Sequence, residues 1–389
     1  MTLKEFEKII IDMIKCGLSG QTSALPADFA LEKIFEFSLS HQIFPIIFDS
    51  VKDNADFIND EKYAIFHKKY KVLKIIDELQ RVSFEKIGVA FEESGIDYLP
   101  LKGIIYKRFY PSTFLRSMGD MDILIRDTDR EKISDVMDEL GYVFVKESTH
   151  ELVFEEKPVI TFELHKELVP TVNTDFYDYY KDPWRFAVKK EGHRFDMKDE
   201  DFFIFTFTHF ARHYRDSGAG IKYIVDFYIY LKTHPDLDLS YIESEMKKLR
   251  IDVFFKNVTD LIGVWFYGKE ETDVTAFLAD RVFRSGSFGA MKFGQCSAVL
   301  REMNQNKRRS RVSKFFSAVF PSYSAMTVIY PSLKGKAVLL PLYYVLRIVS
   351  RLFRPKRTIK AIKEAVGVTE KQANKYKEEL KFVGLDYEI

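Results

Sequence analysis

The sequence predicts an α+β protein in which a small mixed sheet, with its own helices, is flanked by helical regions. Apolar residues recur at helical spacing up to residue 95, short strand-like runs follow to about residue 195, and helical spacing returns from Asp199. These changes of period predict four parts: an N-terminal helical region (1–95), a core (96–198), a second helical domain (199–306) and a basic and apolar helical tail (307–389).

Composition narrows the class of protein. The chain has 389 residues, of which 46% are hydrophobic, so it is long and apolar enough to bury a substantial core. Its net charge of +1 gives no strong sign of nucleic-acid binding. Cys16 and Cys296 lie far apart, which disfavours a disulfide framework and a zinc site. The charged N-terminus lacks the pattern of a signal peptide, and we expect a cytoplasmic protein.

The N-terminal region should consist of helices. Apolar spacing predicts helices around 3–13 and 31–37 and a long one over about 61–93. The long helix contains no proline, and Ser94-Gly95 should end it. Its predicted apolar face comprises Phe66, Val72, Leu73, Ile76, Leu79 and Phe84.

The core alternates short strands with helices. A strand over 97–101 should lead into a Lys-Gly turn, and a helix over 104–110 should end at Pro111. A helix should open at 127–129 and close at Gly141. The other predicted strands are 121–125, 142–146, 151–155 and 159–165.

The C-terminal half should be helical again. An aromatic helix over 202–213 and a second over 223–231 flank a glycine-rich break, helices continue to about 282, and a loop covers 285–289. The tail carries two basic clusters: Lys307, Arg308, Arg309 and Arg311, then Arg347, Arg351, Arg354, Lys356 and Arg357. Three interpretations are open: a packed helix with a solvated basic side, peripheral contact with an anionic membrane, and RNA contact. Thr369 and Gln372 form a capping-box pattern near the end.

Two aspartates stand at the start of the strand predicted over 121–125. Asp120 and Asp122 are two residues apart, and strand side chains alternate between faces, so both carboxylates should point the same way. Two like charges on one face repel each other and lose hydration. Mg²⁺ removes that cost, because it prefers oxygen ligands and accepts water and substrate phosphates as the rest of its shell. The pair therefore indicates a metal site.

Several short motifs surround this pair: Leu101-Lys102-Gly103, Tyr110-Pro111, Arg116 and Gly119-Asp120-Met121-Asp122. Together they resemble the uncharacterised branch of the polymerase-beta-like nucleotidyltransferases, most closely over about residues 95–230. The resemblance implies a polymerase-beta-like core and a third carboxylate on a later strand. The chain departs from the wider superfamily where Ile104 follows Gly103, since a serine or second glycine is usual there.

The resemblance also implies roles for individual residues. Asp120, Asp122 and Glu163 would be the catalytic and metal-binding carboxylates, with Mg²⁺ or Mn²⁺ as cofactor. Glu155, Glu156 and Glu167 are competing choices for the third carboxylate. The residues expected at the nucleotide phosphates are Lys102, Gly103, Arg116 and Ser117. For Lys102 a surface position, and for Arg116 a purely structural salt bridge, are the alternatives.

Further polar residues are candidates for acceptor contacts or for support of the carboxylates. His165 shares a strand face with Glu163, and His209 and His213 lie four apart on one helical face. The resembled branch has a similar histidine helix followed by a basic residue and an aspartate, which Lys222 and Asp226 match. A simple ion pair between Lys222 and Asp226 at i,i+4 is the alternative.

We therefore expect an enzyme: a two-metal-ion nucleotidyltransferase that moves a nucleoside monophosphate from ATP or another NTP to a hydroxyl or amine of a small molecule or protein. Two other functions stay open. One is a nucleotide-binding pseudoenzyme, which the three carboxylates disfavour. The other is an enzyme that adds nucleotides to RNA ends, which the near-neutral charge disfavours and the basic tail favours.

Overall fold

The computed structural model of the protein describes residues 3–25, 31–171, 174–286, 291–304, 320–323, 326–327, 330–333, 335–352 and 368–385. Two compact units divide the chain. The first comprises Met1–Ala290 with Phe382–Asp386, and the second comprises Met291–Lys381 with Tyr387–Ile389.

The first unit begins with helices, as predicted: α1 (Leu3–Ser19), α2 (Leu31–Ser40), α3 (Phe44–Asp49), α4 (Ala55–Ile58) and α5 (Tyr63–Glu93). Helix α5 ends where the sequence indicated, with Ser94 as its cap and Gly95 at a φ of +63°. The predicted apolar face of α5 is wrong in its middle part. Val72 and Leu79 are exposed, whereas the buried side carries Phe66, Tyr70, Gln80, Ser83, Ile87 and Phe91.

The sheet follows, interleaved with short helices. Its strands are β1 (Tyr98–Pro100), β2 (Met121–Ile125), β3 (Val143–Glu147), β4 (Glu151–Glu156), β5 (Ile160–His165), β6 (Ala187–Glu191) and β7 (Arg194–Met197). The intervening helices are α6 (Gly103–Tyr106), α7 (Arg130–Glu139) and α8 (Thr174–Tyr180). The helix predicted over 104–110 is wrong in length, because α6 has four residues and passes into a 3₁₀ turn at Lys107–Phe109.

The seven strands form one mixed sheet in the order β3-β4-β5-β2-β1-β7-β6. Strand β2 is antiparallel to β1 and parallel to β5, while β4 is antiparallel to β5. The predicted α+β class with a mixed sheet is confirmed. Strands β6 and β7 were not predicted, because β6 is mostly charged and exposed without an apolar period, and the alternation of β7 spans only four residues.

Alternation along the central strands gives the sheet two different faces. Met121, Ile123 and Ile125 of β2 join a hydrophobic core with Phe162 and Leu164 of β5. Buried residues of α5 and α7 complete that core: Ile87, Phe91, Ile133, Val136 and Met137. The intervening residues of β2 and β5 must point to the opposite face, and these include the polar ones.

Helices follow the sheet along the chain. They are α9 (Asp199–Asp216), α10 (Ile221–Thr233), α11 (Leu239–Lys248), α12 (Asp252–Tyr267) and α13 (Asp273–Ser285). Their aromatic side chains pack on one another, including Phe203, Phe207, Phe210, Phe227, Phe254 and Phe255. This packing explains the aromatic composition of the segment predicted over 202–213.

The second unit contains α14 (Met291–Asn304), α15 (Leu340–Leu352) and most of α16 (Glu370–Phe382). The predicted capping box is confirmed, since Gln372 N donates to Thr369 Oγ1 and Thr369 N donates to Gln372 Oε1. Arg347 and Arg351 lie in α15. The rest of both basic clusters lies outside the described residues. None of the described helices combines the length and the apolar character that crossing a membrane requires.

Candidate active site

The pairing of β2 with β5 brings two acidic side chains together. In this parallel register Asp122 lies opposite Glu163, so both side chains are on the same face of the sheet. Asp120 precedes β2 by one residue, two positions before Asp122, and is exposed. One carboxylate oxygen of Asp122, one of Glu163 and a ring nitrogen of His165 lie within 4.8 Å of one another. Two of the three predicted carboxylates, those of Asp122 and Glu163, therefore form one cluster with His165.

Asp122 is buried, with 4% of its surface exposed, and two basic side chains hold it. Its Oδ1 lies 2.5 Å from Lys102 Nζ and 2.8 Å from His165 Nε2. Burial opposes ionisation of this carboxyl, but the Lys102 ammonium and the His165 ring outweigh it and hold the pKa of Asp122 below its usual value. Asp122 is therefore an anion at neutral pH.

Glu163 has the opposite electrostatic character. Burial raises its pKa to about 7, and the negative charges of Asp120, Asp122 and Glu151 act in the same direction. His165 Nε2 lies 3.8 Å from Glu163 Oε2, beyond hydrogen-bond distance. The neighbouring carboxyls of Asp122 and Glu163 therefore have pKa values shifted in opposite directions.

Glu151 is a fourth acidic residue on this face, and the sequence analysis missed it. It lies opposite His165 in the antiparallel pairing of β4 with β5 and is buried. Lys146 Nζ donates to its Oε1 at 2.9 Å. A signal was available, because a tight turn near Pro158 between two predicted strands implies that Glu151 faces His165.

The Lys102-Gly103 turn has an unusual backbone. Lys102 adopts φ +46° and ψ −114°, a conformation that non-glycine residues rarely adopt and that is costly unless its surroundings impose it. Gly103 is needed for packing: a Cβ there would lie 2.4 Å from Arg116 Nη1 and 2.7 Å from Met118 Sδ. The side chains of Arg116 and Met118 therefore fill the space beside Gly103.

Arg116 pairs with an aspartate that the sequence analysis had not connected to it. Its Nε and Nη2 donate to the two carboxylate oxygens of Asp226 at 3.2 and 2.9 Å, and Tyr110 Oη donates to Asp226 Oδ1 at 2.7 Å. Arg116 and Asp226 are both buried. Arg116 therefore takes part in a buried salt bridge with Asp226, and its expected contact with the nucleotide phosphates stays a prediction.

Lys222 projects from α10, and its amine has a neutral partner. Its Nζ donates to Gln42 Oε1, so the ion pair with Asp226 suggested by their spacing does not form. Gln42 belongs to the turn between α2 and α3 and has a φ of +56°. The neighbouring His41 is buried, and its ring contacts Phe283 O and Ile221 N, which fixes this turn against α10.

Burial also sets the charge of Lys222. It lowers the pKa of the amine to about 7, and the positive charge of Arg116 acts in the same direction. The carboxylates of Asp226, Asp120 and Asp122 act in the opposite direction but do not restore the usual pKa.

His209 and His213 lie on adjacent turns of α9, with ring centroids 4.4 Å apart. Burial lowers the pKa of His213 to about 3, helped by the nearby Arg212 charge. Burial, with Lys102 as the next cause, also lowers the pKa of His209 well below its usual value. Both rings are neutral at neutral pH and present nitrogen donors and acceptors without charge.

The first unit contains a cavity of about 420 Å³ that is lined by most of the predicted site residues. The predicted residues that line it are Lys102, Gly103, Arg116, Asp120, Asp122, Glu163, His165, His209, His213, Lys222 and Asp226. Ser117 is the predicted residue that does not line it. Glu167, a competing choice for the third carboxylate, also lines it. Sequence reasoning missed other polar lining residues, among them Gln42, His150, Glu151, Arg212 and Tyr223.

Comparison with known proteins gives one family match. The sequence profile of the family described as uncharacterised nucleotidyltransferase matches residues 28–267, more than half of the chain. No curated protein matches the chain significantly.

Among solved structures, the chain is similar to the solution structure of the antibiotic-resistance factor ANT(2'')-Ia. The identity is 12%, the match covers 44% of this chain and 93% of that one, and the TM-score is 0.34. The family match spans the acidic cluster, the Lys102-Gly103 turn and the histidine helix, and on that basis the protein belongs to the uncharacterised nucleotidyltransferase family.

Proposed function

We propose that the protein is a metal-dependent nucleotidyltransferase that moves a nucleoside monophosphate from an NTP to a hydroxyl or amine of an acceptor. The observation that carries this proposal is the β2–β5 register, which sets Asp122 beside Glu163, while Asp120 lies two residues before Asp122 and lines the same cavity. We also assign this part of the sheet to a polymerase-beta-like core.

The donor set fits a divalent cation. Asp120, Asp122 and Glu163 offer carboxylate oxygens, the ligand type that Mg²⁺ and Mn²⁺ prefer, and oxygens of Asp122 and Glu163 lie within 4.8 Å of each other. We assign metal binding to these three residues. A bound cation would supply charge neutralisation at the reacting phosphate and polarise its oxygens.

We assign the triphosphate to the basic side chains of the same cavity. Lys102 reaches the acidic cluster and Lys222 donates to the neutral amide of Gln42, so both can turn a positive charge towards phosphate oxygens. Gly103, Arg116 and Ser117 stay in the proposal as the frame of this subsite: Gly103 admits Arg116 against the turn, and Arg116 Nη1 lies 3.5 Å from Ser117 O.

The transfer needs one proton acceptor. In the proposed step the acceptor oxygen or nitrogen attacks the α-phosphorus, the bond from that phosphorus to the bridging oxygen breaks, and pyrophosphate leaves with the bonding electron pair. Glu163 takes the proton from the attacking group. Burial and neighbouring carboxylates raise the pKa of Glu163 in the metal-free protein, and a bound cation would favour its ionised form, which can accept that proton.

We assign the acceptor to the side of the cavity formed by α9 and α10. His209 and His213 are uncharged there and can orient a hydroxyl or amine by hydrogen bonds. His165 positions Asp122 through its 2.8 Å contact, and Asp226 acts through Arg116. These are proposed roles in holding the acceptor and the carboxylates in register.

Incubation of the purified protein with each α-³²P-labelled NTP, Mg²⁺ or Mn²⁺ and cell extract tests the proposal. Label in a small molecule or a protein, lost on Asp120→Asn, supports it. Label at RNA 3′ ends identifies the RNA-end enzyme instead. Tight metal-dependent NTP binding without label in any product identifies the pseudoenzyme. Asp127→Asn is the matched control, since Asp127 follows the same strand and is exposed outside the cavity.

A further inference from the structure

Helix α5 carries apolar side chains on two sides. One side is buried against the rest of the first unit. The other side exposes six aliphatic residues to between 45% and 66%: Ile65, Val72, Ile75, Leu79, Val82 and Val89. Contacts that would cover this second side are absent among the described residues. Scattered exposed apolar residues are ordinary on a protein surface, whereas six along one line of one helix are not.

The spacing of these residues is that of a coiled coil. Positions 65, 68, 72, 75, 79, 82, 86 and 89 alternate steps of three and four, and lysines fill 68 and 86. This average period of about 3.5 residues keeps a stripe facing a partner helix that supercoils around it. The stripe extends over about 36 Å at 1.5 Å per residue, which is long enough for helix pairing.

The stripe is also symmetric about position 77. Residues 65 and 89, 72 and 82, and 75 and 79 each average 77, and so do the two lysines. This arrangement is compatible with an antiparallel pair of identical helices, in which each residue meets its mirror position on the partner. All six apolar residues would be paired in that register.

Charges beside the stripe fit the same arrangement. Lys71 and Glu85 flank the stripe on one edge and average 78, so an antiparallel copy would set each lysine beside the partner's glutamate. Glu78 lies between them, and Arg81 of the same helix forms exposed ion pairs with both Glu78 and Glu85. Lys86 turns its amine away from the stripe to donate to Leu140 O at 2.9 Å. We propose that the exposed stripe of α5 is a dimer interface on which a second copy of this chain docks as an antiparallel coiled coil.

The mass in solution tests the interface. Analytical ultracentrifugation of the full chain at micromolar concentration should give a dimer. Ile75→Glu and Leu79→Glu should each raise the dimer dissociation constant at least ~10-fold, because a charge enters the central apolar layers. Leu239→Glu is the control, since Leu239 is an equally exposed aliphatic residue on α11, and this variant should remain dimeric. A monomer at all concentrations, or a dimer unaffected by both α5 variants, overturns the proposal.

A charge exchange tests the orientation without touching the apolar layers. Lys71→Glu should weaken the dimer by ~3-fold to 10-fold at low salt, and Lys71→Glu combined with Glu85→Lys should restore it. Restoration supports the antiparallel pairing, and a double variant weaker than the single one overturns it. The seam faces away from the buried side of α5, so unchanged circular dichroism should accompany every variant.

Discussion

Arg116 and Asp226, 110 residues apart in sequence, form a buried salt bridge with two hydrogen bonds. It joins the loop before β2 to helix α10. Because Asp120 and Asp122 follow Arg116 closely, the pair ties the acidic cluster to the helices on the far side of the cavity.

Removing one charge from this pair should be costly. Asp226→Asn leaves the Arg116 guanidinium buried without its counter-charge, and we expect the free energy of unfolding to fall by about 3–5 kcal/mol. Urea unfolding followed by circular dichroism measures this. Asp280→Asn is the control, since Asp280 pairs with Arg284 on the exposed surface of α13, and it should cost less than about 1 kcal/mol. Equal losses in the free energy of unfolding in the two variants would contradict a larger cost for breaking the buried pair.

Substitution of Gly103 should destabilise through packing. In Gly103→Ala the new methyl group would overlap Arg116 and Met118, so we expect a loss of about 1–3 kcal/mol in the free energy of unfolding. Gly119→Ala provides a control in the same loop, because a Cβ at Gly119 meets nothing within 4 Å. It should change stability by less than about 0.5 kcal/mol. An unchanged free energy of unfolding in Gly103→Ala would show that Arg116 and Met118 can move away from the new methyl group at little cost.

The aspartates should control metal-dependent nucleotide binding. Asp120→Asn and Asp122→Asn each remove an anionic ligand, so calorimetry should show loss of Mg²⁺-dependent NTP binding. Asp120 is exposed, and its variant should keep wild-type stability, which separates loss of binding from loss of fold. Unchanged binding of Mg²⁺ with NTP in both variants would move the metal site elsewhere.

Glu163 should affect turnover more than affinity. Glu163→Gln removes the proton acceptor, and we expect turnover to fall by a factor on the order of 10² or more while NTP affinity stays within several-fold. Steady-state rates and equilibrium titrations distinguish the two effects. Glu155→Gln on the neighbouring strand is the control, because Glu155 does not line the cavity. Full activity of Glu163→Gln would point to one of the other glutamates.

Lys222 should make nucleotide binding depend on pH. Burial lowers its pKa to about 7, so the free protein holds the ammonium form below pH 7 and loses it as pH rises. A bound triphosphate would favour the ammonium form and raise that pKa. NTP affinity should therefore decline above pH 7, and binding at pH 8 should take up protons.

Calorimetry at pH 8 in buffers of different ionisation enthalpy measures that proton uptake. Lys222→Met should remove both the uptake and the decline in affinity. Lys232→Met is the control, because Lys232 is an exposed lysine on the same helix. Undiminished proton uptake in Lys222→Met would assign the effect to another group.

Local sequence patterns were sufficient to predict much of the fold and part of the candidate site. The end of α5 at Ser94-Gly95, the strand that carries Asp122 and the Thr369–Gln372 capping box were predicted from neighbouring residues alone. Each depends on interactions within a few residues of the chain, such as side-chain alternation, glycine's backbone freedom or a cap, and these are encoded where they act.

Contacts between distant segments were decided by tertiary packing. The local sequence does not specify that Gln42 meets Lys222, that Arg116 meets Asp226, or which side of α5 is buried. The apolar face predicted for α5 was wrong because this helix has apolar residues on two sides, and only docking against the sheet and α3 selects one. Local periodicity specifies which side chains share a face, whereas the surface that meets that face depends on how the remote elements pack together.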